Sequence, residues 1–270
     1  MRLVSICPSN TEMLAYLGLT EFLTGVDDFS DWPEQVRNLP RLGPDLNIRM
    51  DEVEKLQPDL VLASLSVPGM EKNIEELKKR NIPHIVLNPQ SLEDIAQDLL
   101  TIGKHTGYEK MANQLYEQYM ATLERYHTIN QTIAHKPSLY WEWWPKPVFT
   151  PGNTNWLTEV SELAGGQNSF ATEETANVQT TWDEVLSRDP DYICMVWVGV
   201  KTEKMRPELV IKRPGWGDMK AVRRNQIFVL EESLYCRPSP RVLQGLNKLA
   251  SLLHPGKYPP YNGTDPLLGK

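Results

Sequence analysis

Two short stretches hold the side chains best suited to chemistry. Cys236 and Arg237 stand side by side in YCRPSP, where a guanidinium beside a thiol favours the thiolate. Such a thiolate could act as a nucleophile or as a ligand to a metal carried by a guest; the bland alternative is a passive lining thiol. Glu142 stands among aromatics in YWEWWP (140–145), where loss of water would raise a carboxyl pKa toward that of a general acid or base. Around these groups no catalytic pattern assembles. The sequence has no Gly-x-x-x-x-Gly-Lys-Ser/Thr, Gly-x-Gly-x-x-Gly, His-Glu-x-x-His or Gly-x-Ser-x-Gly. His84, His105, His127, His135 and His254 fall on predicted helices, turns or mid-strand. Cys7, Cys194 and Cys236 are far apart and form no Cys-x-x-Cys pair, so neither a disulfide framework nor a zinc site can be read. The sequence predicts no catalytic residue, no metal site and no built-in cofactor.

A grip on a flat guest is better supplied. Trp143, Trp144, Phe149, Trp156, Trp197 and Tyr235 all fall at predicted strand ends or first helical turns. One such aromatic commonly covers its own core; six together suit a large planar or amphipathic ligand with few polar anchors. Trp141, Trp143 and Trp144 cannot share one strand face, because side chains alternate. Trp141 is expected inside, with Trp143, Trp144 or both toward the ligand. Trp182 reads as core, and Trp216 as packing a loop. The polar anchors are Ser9 and Asn10 at one predicted helix start, and Arg237 just ahead of another. There Ser239 is expected to cap and Pro240 to take the first helical position. A surface arginine is the competing reading of Arg237.

The elements that must position these groups are repeated. MDEVEKLQPDLVL (50–62) and WDEVLSRDPDYIC (182–194) share Asp-Glu-Val and Pro-Asp at an offset of 132 residues. At the same offset MEK (70–72) answers TEK (202–204), and RNIPHIVLN (80–88) resembles RNQIFVLE (224–231). Each copy reads as helix, turn and buried strand, and the alternation predicts parallel sheets covered by helices. In the first lobe, RLVSIC is a strand, Ser9 and Glu12 form a capping box, and Gly18 ends the helix. In the second, SLYWEWW replaces that strand, and TPGNTNWLTEVSELAGG (150–166) supplies turn, Asn/Thr cap, helix and glycine stop. Between the lobes, apolar residues at 111, 115, 119, 123, 126, 129 and 133 predict one amphipathic helix over 109–133. At about 1.5 Å per residue it is roughly 37 Å long. The expected organisation is an α/β protein of two Rossmann-like lobes: residues 1–106, a backbone helix over 107–134, and residues 135–270. The ligand cleft is expected between the lobes, at the carboxyl ends of the strands.

The totals agree with a binding protein. The chain has 270 residues, 40% apolar and 23% charged, as in an ordinary globular protein. A net charge of −7 argues against a nucleic-acid partner. No apolar run reaches the roughly 18 residues of a membrane span. MRLVSICPSN is broken by Pro8 before a secretory core can form, and Ile6 ahead of Cys7 does not fit a lipoprotein cleavage site. From this the expected location is cytoplasmic, or extracytoplasmic and membrane-associated if a longer form exists. A monomer is expected.

SICPSNTEMLAYLG, DFSDWP (28–33), LQPDLVLA (56–63), VFTPGNTNWLTEVSELAGGQN (148–168) and RPSPRVLQGLNKLASLLHP (237–255) resemble the cobalamin- and iron-chelate-binding proteins of bacterial ABC importers. The resemblance covers nearly the whole chain and includes a signal-less branch of that family. It implies two α/β lobes joined by one long helix, the helical-backbone fold of class III periplasmic binding proteins. It implies non-catalytic binding of a cobalamin-like corrinoid, or of haem or a ferric siderophore. Trp32 inherits a ring-contact role from DFSDWP; aromatics at 143–149, Trp197 and the Tyr235 segment match ligand-facing positions. Pro44-Asp45 and Leu65 stand where cobalamin binders place further tryptophans, which leaves haem and siderophores open. Glu71 and Glu203 match the acidic residues that dock each lobe on the permease. Two further readings are an exported importer component lacking its signal segment here, and an enzyme using Cys236 or Glu142 on a corrinoid-like substrate.

Overall fold

The computed structural model describes residues 1–269. The chain divides into two compact units that are not contiguous in sequence. The first comprises Met1–Pro89, Glu93–Tyr119 and Pro238–Pro240; the second comprises Gln90–Leu92, Met120–Arg237 and Arg241 onward.

The first unit contains β1 (Leu3–Ser5), α1 (Pro8–Tyr16), β2 (Leu23–Val26), α2 (Met50–Lys55), β3 (Leu60–Ser64), α3 (Glu71–Lys79) and β4 (His84–Leu87). Its sheet is parallel, in the order β2-β1-β3-β4. β3 is buried at all five positions, as a central strand covered on both faces must be. Val4, Ile6, Val53, Val61, Ala63 and Leu77 form the centre of the core. α4 (Leu92–Thr106) follows, and then α5 (Glu109–Asn130), within which the chain passes to the second unit after Tyr119. Gly103 on α4 lets the helices approach closely: a Cβ there would lie 2.4 Å from that of Ala112.

α5 is shorter than its apolar spacing predicts. It ends at Asn130, and Ile133 falls in the following turn, its amide donating to the Asn130 carbonyl at 3.0 Å. Of the expected stripe, Leu115, Tyr119 and Tyr126 are buried, whereas Met111 is exposed and Ala112 is buried in its stead.

The second unit repeats the plan. β5 (Ser138–Glu142), β8 (Gln167–Asn168), β10 (Tyr192–Met195) and β11 (Ile227–Val229) form a parallel sheet in the order β11-β10-β5-β8. With β5 set on β1 and β10 on β3, this is the strand order of the first unit. Two more strands, β6 (Trp144–Pro145) and β7 (Val148–Pro151), follow β5 and join β9 (Asn177–Thr180) in an antiparallel sheet. The helices are α6 (Trp156–Leu163), α7 (Trp182–Arg188), α8 (Pro207–Ile211), α9 (Lys220–Arg223), α10 (Glu232–Tyr235) and α11 (Val242–Leu253).

The internal repeat extends to backbone conformation. Among the described residues, four non-glycine residues have positive φ: Gln57 (46°), Asn81 (55°), Asp189 (44°) and Asn225 (54°). Gln57 and Asp189 occupy the same place in the 50–62 and 182–194 phrases; Asn81 and Asn225 each follow the arginine of the two Arg-Asn phrases. In both units a left-handed residue thus turns a helix end into the next strand.

Two predicted caps take another form. α1 begins at Pro8 with Cys7 as its N-cap and no side-chain cap bond, so the Ser9–Glu12 capping box is absent. Pro8 fits the first turn because it has no N–H to leave unpaired. Glu12 is buried and accepts the Ser239 hydroxyl at 2.5 Å. The N-cap of α11, which starts at Val242, is Arg241 rather than Ser239. Among the described residues no helix is long and apolar enough to cross a membrane.

Candidate ligand-binding site

In the first unit the carboxyl ends of β1 and β2 carry a buried polar cluster. Asp27, just past β2, accepts the amides of Phe29 (2.8 Å) and Ser30 (3.0 Å) through Oδ1 and the Ser30 hydroxyl (2.5 Å) through Oδ2. The Ser30 hydroxyl meets that of Thr11 at 2.7 Å, and Thr11 donates to Ser5 at 2.8 Å. Arg41 donates to the carbonyls of Asp27 (2.8 Å) and Ser30 (2.7 Å). Burial pushes the Asp27 carboxyl up to about 6, against the lowering effect of its hydrogen bonds. The cluster fixes the turn that presents Trp32, which is half-buried with its ring 5.5 Å from that of Tyr16.

Ser9 and Asn10 are both buried. Ser9 Oγ lies 3.2 Å from the Cys7 sulfur, and the Asn10 amide donates to the Ala63 carbonyl at 3.0 Å. The Asn10 bond ties α1 to β3. Glu71 is exposed at the start of α3, its carboxylate accepting the Gly69 amide at 2.7 Å.

In the second unit the aromatic set separates by depth. Trp141 is fully buried, its indole donating to Ser161 at 2.8 Å. Trp143 is 9% exposed, at the point where the parallel sheet passes into the antiparallel one. Its amide donates to the Phe149 carbonyl and its carbonyl accepts the Val198 amide. Trp144 is 42% exposed and pairs across the hairpin with the half-buried Phe149. Of the expected ligand aromatics of this unit, Trp144 and Phe149 are the most open.

The others lie deeper. Trp156 donates its indole N–H to the Tyr235 carbonyl at 2.8 Å. Tyr235 is fully buried, its hydroxyl donating to the Gly245 carbonyl at 2.9 Å and its ring 5.3 Å from that of Trp141. It is part of the core in this conformation. Trp216 is likewise fully buried, more than the loop packing expected of it. Trp182 is partly buried, donating to the Pro145 carbonyl at 2.9 Å.

The groups singled out for chemistry are engaged. Glu142 has no exposure and binds Arg213 through both oxygens, at 2.5 and 2.8 Å. It also accepts the Tyr140 hydroxyl and the Trp197 indole, each at 2.9 Å. Arg213, the partner that sequence reading missed, lies 71 residues away with no local spacing to betray it. Burial pushes the Cys236 thiol well above its ordinary value, nearby Glu232 adds to this, and Arg237 only partly opposes it. A thiol so shifted is not the thiolate that the Cys-Arg pair suggests. Arg237 is nearly buried and binds Glu232 at 3.1 Å, so it is not a surface arginine. Glu203 is exposed in a single 3₁₀ turn, Thr202–Lys204. Among the described residues, no group of three or more His, Cys, Asp or Glu is placed to hold a metal ion.

Doubled parallel α/β units with polar and aromatic groups at their strand ends define a class of small-molecule binding proteins. A family model for periplasmic binding proteins matches residues 3–234, and the chain belongs to that family. An uncharacterized ABC transporter substrate-binding lipoprotein of Bacillus subtilis is 29% identical over 262 residues, 95% of this chain and 81% of the relative. A vitamin B12-binding protein of Vibrio parahaemolyticus is 26% identical over 250 residues, 91% of this chain and 86% of the relative. The crystal structure of a periplasmic heme-binding protein from Pseudomonas aeruginosa matches the fold with a TM-score of 0.83 at 21% identity, covering 94% of this chain and 93% of that one.

These findings overturn the cytoplasmic location. The family is periplasmic and the Bacillus subtilis relative is a lipoprotein, so the homologues are extracytoplasmic. The expectation rested on a missing apolar segment at the beginning of the sequence, and an absence there is no guide to location.

Proposed function

We propose that this chain is the substrate-binding component of an ABC importer and that it holds a metal chelate without acting on it chemically. A cobalamin-like corrinoid is the first candidate, with haem and ferric siderophores as alternatives within the same class. Family membership and the vitamin B12-binding relative support this reading. The observation that carries it is the Trp144–Phe149 pair. An indole 42% exposed, beside a half-buried phenyl ring on a short hairpin, leaves flat apolar surface for a flat apolar guest. Trp32 offers a comparable ring in the first unit. Ser9, Asn10, Trp143, Trp156, Trp197, Tyr235, Cys236 and Arg237 complete the proposed set, and all but the partly buried Cys236 are buried in this conformation.

A non-catalytic role is favoured by the state of the reactive groups. Glu142 has its oxygens occupied by four donors, and the Cys236 thiol is held protonated. The partner is an importer permease, which the exposed Glu71 and Glu203 would meet as two equivalent carboxylates. The test is mass spectrometry of the small molecule released when protein purified from its native cells is denatured. A stoichiometric corrinoid, porphyrin or siderophore is expected. A sugar, amino acid or simple organic acid in that place would contradict the proposal.

A further inference from the structure

Glu142 is an odd residue for its place. Pairing of β1 with β3 and of β5 with β10 sets Glu142 where the first unit has Ile6, an ordinary core side chain. The strand itself therefore does not ask for a carboxylate. Burying a carboxylate and a guanidinium is costly, and an apolar pair of similar volume commonly serves a core as well or better. Arg213 is further enclosed by aromatic faces, with its guanidinium 4.5 Å from the Trp216 ring centre and 4.9 Å from that of Trp182. The cost of burying the pair directs attention to what it holds.

What it holds is the base of a loop. Trp197 lies just past β10, and its indole N–H is bound to Glu142. Its backbone amide donates to the sulfur of Met205 at 3.4 Å, closing the loop where it returns to the core. The Val198 amide is tied to the Trp143 carbonyl at 3.1 Å. Between these fixed ends Val198 is 49% exposed, Val200 packs against the core, and Glu203 lies exposed in the Thr202–Lys204 turn.

We propose that Glu142, with Arg213, is a positioning residue that locks the Trp197 ring and thereby the whole Trp197–Met205 segment. The ring and the Glu203 carboxylate then move as one piece. This inference rests on the reading of Trp197 as a ligand-site aromatic and Glu203 as a docking residue, and adds a physical link between the two. A ligand that displaces the ring displaces the docking carboxylate with it, so that occupancy is visible to the partner.

The test is hydrogen exchange of the full chain, read by mass spectrometry, in two variants. Glu142→Leu combined with Arg213→Met removes both charges and keeps the core apolar. Its circular dichroism and the protection of β5 and β10 are expected to match the parent. The amides of 198–204 are expected to exchange about tenfold faster. Trp197→Phe leaves the ion pair intact and deletes only the indole donor; the same amides are expected to speed up by about threefold. Should the double variant not fold, Trp197→Phe decides alone. Unchanged protection of 198–204 in either folded variant overturns the proposal. The readout needs no ligand: faster exchange in protein that binds no chelate would retain the positioning role and remove the transport reading.

Discussion

Asp27 shows how a single buried carboxyl can order a turn through its hydrogen bonds. Its oxygens organise the turn that presents Trp32, and burial raises its pKa from 3.8 to about 6. The folded chain thus holds this proton more tightly than the unfolded one. The stabilisation is fully present below the unfolded pKa and is lost as pH rises through the folded one. Relative to Asp27→Asn, the parent protein should lose on the order of 3 kcal/mol between about pH 4 and pH 7. Urea unfolding of both proteins at the two pH values checks this; a flat difference, or one of opposite sign, would refute it. At the same scale, Glu142 and Cys236 show the limit of sequence. Neighbours in the chain suggested an acid–base group and a thiolate. What sets their states, Arg213 for the one and the packing around the partly buried Cys236 for the other, is a product of tertiary structure.

Elements were more legible than residues. The phrases 50–62 and 182–194 become helix, left-handed turn and strand in both units, because periodicity and turn chemistry are local properties. The Asn155 cap was equally legible: its side chain accepts the Leu157 amide at 2.9 Å, opening α6 beneath Trp156. Asn155→Ala should cost about 1 kcal/mol and lower the melting temperature by about 2–4 °C. A calorimetric scan measures this, and an unchanged transition would show that the cap is dispensable. The Ser9–Glu12 and Ser239 caps failed for the opposite reason, since Glu12 and Ser239 bind each other across 227 positions of sequence. The β6–β7–β9 sheet also escaped notice. Its two- and four-residue strands are too short for alternation to register, and β9 comes only after α6.

For the whole molecule, the doubled architecture and the family were carried by motifs spread over nearly the full length, and both stand. Location did not, because it was inferred from something absent. Ligand class is the property that composition leaves open and that the aromatic surfaces narrow. The central claim is that those surfaces bind a metal chelate, and tryptophan fluorescence of the purified full chain titrated with cobalamin, haem and a ferric siderophore tests it most directly. At least one is predicted to quench emission saturably with a Kd at or below about 1 μM, a free energy near −8 kcal/mol, and to bind Trp144→Ala about tenfold more weakly. Emission unmoved by all three would contradict the account.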